Sequence, residues 1–298
     1  MIVSHRRHVP GFGDACLAID RAIGPSFIVR RVALREVVQD ERLTKAAVGV
    51  DCGRPRRRLL LVLDGESLES IEGRDEKMHP GRALFISERR RWESRSEHCD
   101  LLEIEWDPGG LDDGSATSED VASWQLGSRT RHCVDHFGEE LRNARTAEAL
   151  RPALLDLFRA LQSEGCPVDA ERLCAVAPST PAEQQLGEQV DRALSDLANA
   201  PMLVDLEATQ GSSRRTLTRN IRRLHERHAL LGRGEGRWRG IRDAYRLVIA
   251  TILLSHDEAT PARVAEFVGY GSVEALDHAF HHVSLPSPTA LRRSIRAA

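Results

Sequence analysis

Lysine is nearly missing from this 298-residue chain. Lys45 and Lys77 are its two copies, and arginine supplies the rest of the 42 basic side chains. Cysteine pairs are missing too. Cys16, Cys52, Cys99, Cys133, Cys166 and Cys174 form no CxxC, and no cluster has metal-ligand spacing, which excludes zinc-finger and thioredoxin-type sites. Free buried thiols in a reducing cytosol are the expectation. No apolar run reaches the ~18 residues of a membrane helix, and the opening Met1–Arg7 has no apolar core of a secretory signal. A cytoplasmic protein without a membrane partner is therefore expected. Neither a GxSxG nor a GxxxxGK[ST] motif occurs, and the carboxylates are scattered, so no catalytic arrangement is expected.

What the chain has is an uneven charge. The net charge is −3, yet Ser212–Arg246 holds eleven arginines against Glu226, Glu235 and Asp243, about +8 in all. A basic segment in an acidic protein is an electrostatic footprint for a polyanion. Hydrophobic pattern divides the chain as well. Short Val/Ile/Leu/Phe runs at Phe27–Leu34, Ala46–Cys52, Leu59–Leu63, Ala83–Ser87 and Leu101–Trp106 read as strands. Turn signals break them at Gly53-Arg54-Pro55, Asp64-Gly65-Glu66, Glu72-Gly73-Arg74, His79-Pro80-Gly81 and Asp107-Pro108-Gly109-Gly110. Such spacing suggests a barrel or jelly roll. Residues 109–120 read as a polar, glycine-rich connection. Helical periodicity follows: Val134, Phe137 and Leu141 on one face, then Leu150, Leu154, Leu157, Phe158 and Leu161. These stripes suit an intramolecular core or a dimer seam. Residues 165–181 read as a linker, and Thr180-Pro181-Ala182-Glu183 as a capped helix start.

Beyond the linker one pattern occurs twice. A short helix ends at Gly211, which tolerates a left-handed turn, and Ser213 caps the next helix. There Leu217, Ile221 and Leu224 face inward, while Arg214, Arg215, Thr218, Arg219, Arg222 and Arg223 face outward. Helix, tight turn and basic amphipathic helix make a helix-turn-helix, whose second helix enters the major groove. There arginine pairs bidentately with guanine or holds phosphates. In the second copy Val264, Phe267 and Val268 lead to Gly269-Tyr270-Gly271, Ser272 caps the next helix, and Leu276 and Phe280 point inward. Trp238–Leu254 reads as a spacer helix of ~25 Å, a size suited to recognition helices about one DNA turn apart.

From about Leu186 to Arg293 the chain resembles the AraC/XylS family of transcription regulators. Four pieces carry the likeness: Gly211–Arg219, Arg246–Leu254, Val264–Ser272, and Ser287-Pro288 followed by Arg292-Arg293. The resemblance implies an N-terminal cupin-like effector or dimerisation domain, and strands over 27–106 with helices at 130–163 match that layout. It places base-reading positions on Arg215, Thr218 and Arg219 in the first unit, and on Val273, Glu274, Asp277 and His278 in the second. The chain departs from the family at several points. Glu207 stands where a small residue is usual, Leu230–Arg239 is longer and richer in glycine, and His278 replaces an arginine. Glu274 and Asp277 are acidic, and Leu285 replaces a glycine. A cupin metal site needs several histidines and a carboxylate converging; His79 and His98 are isolated, with no HxH, so no metal or cofactor is expected.

The expected fold is α+β: a cupin-like sensing domain over 1–125, a helical connector and linker over 126–180, and an all-α double helix-turn-helix domain over 181–298. The expected function is sequence-specific regulation of transcription, with the first recognition helix dominant. The DNA-contacting set is Arg214, Arg215, Thr218, Arg219, Arg222, Arg223, Ser272, Val273, Glu274, Asp277 and His278. Candidate partners are double-stranded DNA, a small-molecule effector, a second copy of the chain and RNA polymerase. The rival reading is a cupin-type binding protein or enzyme with a helical appendage.

Overall fold

The computed structural model describes residues 1–14, 16–24, 27–48, 57–87, 92–106, 121–175, 180–199, 202–228 and 237–297. Its order is β1 (Ile2–His8), β2 (Leu17–Ile23), β3 (Phe27–Leu34), β4 (Val38–Asp40), α1 (Glu41–Val48), β5 (Arg57–Ile71), β6 (Arg74–Met78), β7 (Arg82–Ile86), β8 (Trp92–Trp106) and β9 (Val121–Gln125). Helices follow: α2 (Ser128–Asn143), α3 (Ala147–Ser163), α4 (Ala170–Ala175), α5 (Pro181–Ser195), α6 (Leu203–Gln210), α7 (Arg214–His228), α8 (Trp238–Leu253), α9 (Pro261–Phe267), α10 (Val273–His282) and α11 (Pro288–Ala297). Apart from α1, strands thus precede helices, the α+β order that the patterning predicts.

The chain forms two compact units. The first comprises Met1–His5, Ala18–Ala33 and Gly53–Thr180; the second comprises Arg6–Leu17, Leu34–Cys52 and Pro181–Ala298. A division at residue 181 therefore omits two early segments that pack with the late helices.

In the first unit a sheet path runs β1-β2-β3-β8-β5-β7-β9. Phe27 pairs with Trp106 across β3 and β8, and Leu61 pairs with Leu102 across β5 and β8, both antiparallel. Alternation puts Leu59, Leu61, Leu102, Ile104 and Trp106 on one face, in a core shared with Val134, Phe137 and Leu141 of α2 and Leu154, Leu157, Phe158 and Leu161 of α3. The helical stripes are thus buried against the unit's own sheet, as an intramolecular core requires. Each Leu or Phe buried there contributes roughly 1.5–3 kcal/mol.

Several local expectations change. Asp64-Gly65-Glu66 is a bulge within β5, with register shifts on either side of Asp64, rather than a turn. Gly65 takes φ +78, and a Cβ there would overlap the His98 carbonyl and Cys99. Ala46–Val48, read as the start of a strand, ends α1; the rest of that run lies outside the described residues. β1, β2, β4, β6 and β9 lie outside the apolar runs that read as strands. The 165–181 linker contains α4. The Glu72-Gly73 and His79-Pro80-Gly81 turns are present, with Gly73 and Gly81 at positive φ. The 109–120 connection lies outside the described residues. Among the described cysteines, Cys16, Cys99 and Cys166 are buried and Cys133 is half-buried.

Candidate nucleic-acid interface

The first helix-turn-helix is α6, the turn at Gly211 and α7. Gly211 adopts the left-handed conformation at the end of α6, with φ 59°. Ser213 Oγ accepts from the Thr216 amide at 3.3 Å and so caps α7. A second cap, not foreseen, comes from Glu207: its carboxylate accepts from the Arg214 amide at 2.7 Å. Glu207 thus holds the first amide of α7, where a negative charge is also favoured by the helix dipole. Leu217, Ile221 and Leu224 are buried, as their spacing predicts. Arg214, Arg215, Arg219, Arg222 and Arg223 are exposed, and Thr218 is half-buried. The Thr218 hydroxyl donates to the Arg214 carbonyl at 2.8 Å, within its own helix.

The second unit is α9, the turn at Gly269 and α10. Thr260 Oγ1 accepts from the Arg263 amide at 3.3 Å, with Pro261 in the first turn. Ser272 Oγ accepts from the Ala275 amide at 3.2 Å and caps α10. Leu276 and Phe280 are buried; Ser272, Glu274, Asp277 and His278 are exposed, and Val273 is half-exposed. Hydrogen bonds to its own backbone and to Ser272 hold the Glu274 carboxyl below the usual carboxylate range. This carboxylate adds negative charge to the exposed start of α10. Past α10, Ser284 takes φ 61° and Leu285 is buried, so the left-handed residue here is a serine and Leu285 adds to the core instead of turning the chain.

α8 separates the two units and has 16 residues, Trp238 to Leu253, about 24 Å of axis. Of the Leu230–Arg239 stretch, residues 230–236 lie outside the described set. On α8, Arg242 contacts Asp243 and lies 3.4 Å from Met202 Sδ at the start of α6. Burial, then Arg242, lowers the pKa of Arg246. Burial, then Asp243, pushes the Tyr270 phenol up to about 12.

The same unit holds a polar cluster that sequence reading missed. Arg6 Nε donates to Asp191 Oδ1 of α5 at 2.5 Å, and its guanidinium lies 4.4 Å over the Tyr245 ring of α8. Burial works against the Arg6 charge, but Tyr245 and Asp191 outweigh it and its pKa is raised. His8 Nε2 and the Tyr245 hydroxyl are hydrogen-bonded at 2.9 Å. Burial, and then Arg6, pushes the His8 imidazole down to about 3. Nearby, His256 Nδ1 accepts from the Glu258 amide at 3.1 Å, and its Nε2 is 3.1 Å from Glu36 Oε2. No periodic signal marks Arg6 or His8, whose partners lie far along the chain.

In the first unit a hollow of about 400 Å³ lies between α2 and the sheet, lined by Arg31, Leu63, Asp100, His132, His136 and Glu139 among others. Arg31 donates to Asp100 at 2.7 Å and to the Gly138 carbonyl at 2.9 Å. The rings of His132 and His136 stack at 6.4 Å. No group of His, Cys, Asp and Glu among the described residues has metal-binding geometry. His79 is exposed in its turn, with Nδ1 3.2 Å from the Pro80 carbonyl. No described helix is long and apolar enough to cross a membrane.

No family model and no curated protein matches the chain. Among solved structures, the AraC-like transcriptional activator CuxR is 14% identical, over 70% of this chain and 74% of that one, with TM-score 0.36. Unsaturated-fatty-acid-bound ToxT from Vibrio cholerae is 12% identical, over 91% and 96%, with TM-score 0.36. A putative glyoxylate-induced protein from Pseudomonas aeruginosa is 15% identical, over 37% and 41%, with TM-score 0.29.

Proposed function

We propose that the chain is a sequence-specific, double-stranded-DNA-binding transcription regulator of the AraC/XylS type, whose first recognition helix dominates. The observation that carries this reading is α7. Five arginines, Arg214, Arg215, Arg219, Arg222 and Arg223, are exposed on a helix whose opposite face is buried and whose start is capped by Ser213 and Glu207. In this reading Arg215, Thr218 and Arg219 meet base edges, and the outer arginines meet phosphates. The second copy, with Ser272, Val273, Glu274, Asp277 and His278, adds a weaker contact through its capped end. The first unit is the sensing part, and its hollow is of a size that holds a small effector.

The test is selection of bound sequences from a random duplex pool at one fixed salt concentration, followed by a comparison of selected with random duplex. One enriched motif, preferred roughly 10³-fold or more over random duplex, is expected. Equal binding to both would leave a non-specific polyanion binder and overturn the reading.

A further inference from the structure

The apolar stretch that begins at Arg246 opens with a charge that the DNA reading leaves unused. Arg246 is 8% exposed. Its Nη2 donates at 2.8 Å to the Leu197 carbonyl, in the segment after α5. Its guanidinium stands 5.9 Å from the Tyr270 ring, in the turn between α9 and α10. Gly269 lies against both: φ is +80°, and a Cβ there would come within 2.5 Å of Arg246 Nη2 and of the Leu197 carbonyl. The close approach therefore needs a glycine.

Stability alone is a poor reason for this arrangement. Arg246 Nε is buried without a hydrogen-bond partner, and an apolar side chain of similar volume would escape the desolvation cost of a buried cation. Arginine differs from such a side chain in direction. Its planar fork donates along fixed lines and stacks on a ring face, so it sets where Tyr270 and Gly269 sit relative to Leu197. One turn earlier on α8, Arg242 touches Met202 at the start of α6.

We infer that Arg246 is a positioning residue that ties the turn of the second helix-turn-helix to the segment after α5, and so fixes the angle at which α10 is presented relative to α7. This rests on the DNA-binding reading. Its consequence is selectivity for the separation between the two half-sites.

Two measurements on the full chain test it, with Arg246→Met, Arg246→Lys and Tyr270→Leu compared with the parent protein. The first needs no DNA. Amide hydrogen exchange from Gly269 to Ala275 should accelerate about tenfold or more in Arg246→Met, less in Arg246→Lys, with the Leu217–Leu224 amides unchanged. Unchanged exchange at the turn overturns the tie. The second uses the duplex selected by the parent protein, with the gap between its halves lengthened or shortened by one or two base pairs. The parent should discriminate about tenfold or more, and Arg246→Met only about twofold while still binding the first half. Retained discrimination overturns the positioning role. If the parent enriches no sequence, the DNA reading fails, and the exchange experiment alone decides the tie. Should Arg246→Met fail to fold by circular dichroism, Tyr270→Leu, which removes the ring beneath an intact guanidinium, must show the same pattern; if it does not, the inference is wrong.

Discussion

Glu207 shows how a residue that looks out of place acquires a purpose once the chain reverses at Gly211. In sequence it is an acid seven positions before the first arginine of α7; in space it accepts from that arginine's amide. Glu207→Ala should lower stability by about 0.5–2 kcal/mol, and Glu207→Gln by less, because the amide still accepts but carries no charge for the helix dipole. Denaturant unfolding checks both. The outward arginines are a different case, since a 3.6-residue period places them without any knowledge of the fold. Arg219→Ala should cost about 1–3 kcal/mol on the selected duplex and relax preference at one base position; unchanged affinity and preference in a gel-shift series would remove it from the reading. His8 gives a pH test. Its imidazole is pushed down to about 3 by burial and then Arg6, whereas an unfolded histidine titrates near ~6.5. Between those values the unfolded chain binds the extra proton, so this contribution is intact above ~6.5 and is lost as pH falls toward ~3. Replacing His8 with Gln should reduce the loss of stability between pH 7 and pH 5 by about 2 kcal/mol. Equal pH slopes for the two proteins would show that His8 is not held neutral.

At the level of elements, legibility follows periodicity. α2, α3, α7 and α10 announce themselves because each buries one stripe, and Gly211, Ser213, Thr260 and Ser272 mark ends through chemistry local to the chain. β1 and β2 did not, because Arg6, His8, Asp20 and Arg21 are buried polar residues that break the alternation; their burial is made tolerable by partners that no local window contains. Gly65 misled for a related reason. A glycine between two acids looks like a hairpin turn, but here the positive φ serves a bulge, after which β5 goes on pairing with β8 to Ile71. Gly65→Ala combines a strained backbone with overlap on the His98 carbonyl, so a loss of about 1–3 kcal/mol or more is expected in thermal or denaturant unfolding. A neutral outcome would mean that the bulge shifts to accept the methyl group.

Across the whole molecule, α7 and α10 are unequal in charge. α7 presents five exposed arginines, whereas α10 presents Glu274, Asp277 and His278. Each phosphate contact adds roughly 0.9 to the salt slope, so Arg215→Ala should weaken binding and flatten that slope more than His278→Ala at matched salt and pH 7.5. Equal effects would put the second helix on an equal footing. The early segments that pack with the late helices bear on whether residues from Thr180 onward can fold alone. Such a fragment lacks Arg6, His8 and Glu36, leaving Asp191, Tyr245 and His256 without the contacts described above. Its unfolding should be broader and its midpoint lower than in the full chain, and an equally cooperative transition would show those contacts to be dispensable. The arrangement also bears on biosynthesis. His8 and Tyr245 are separated by 237 positions, so at ~5–20 residues per second on a ribosome the first waits about 10–50 s for the second to be made. A nascent chain can pair the strands of its sheet while Arg6 still lacks its carboxylate and its ring.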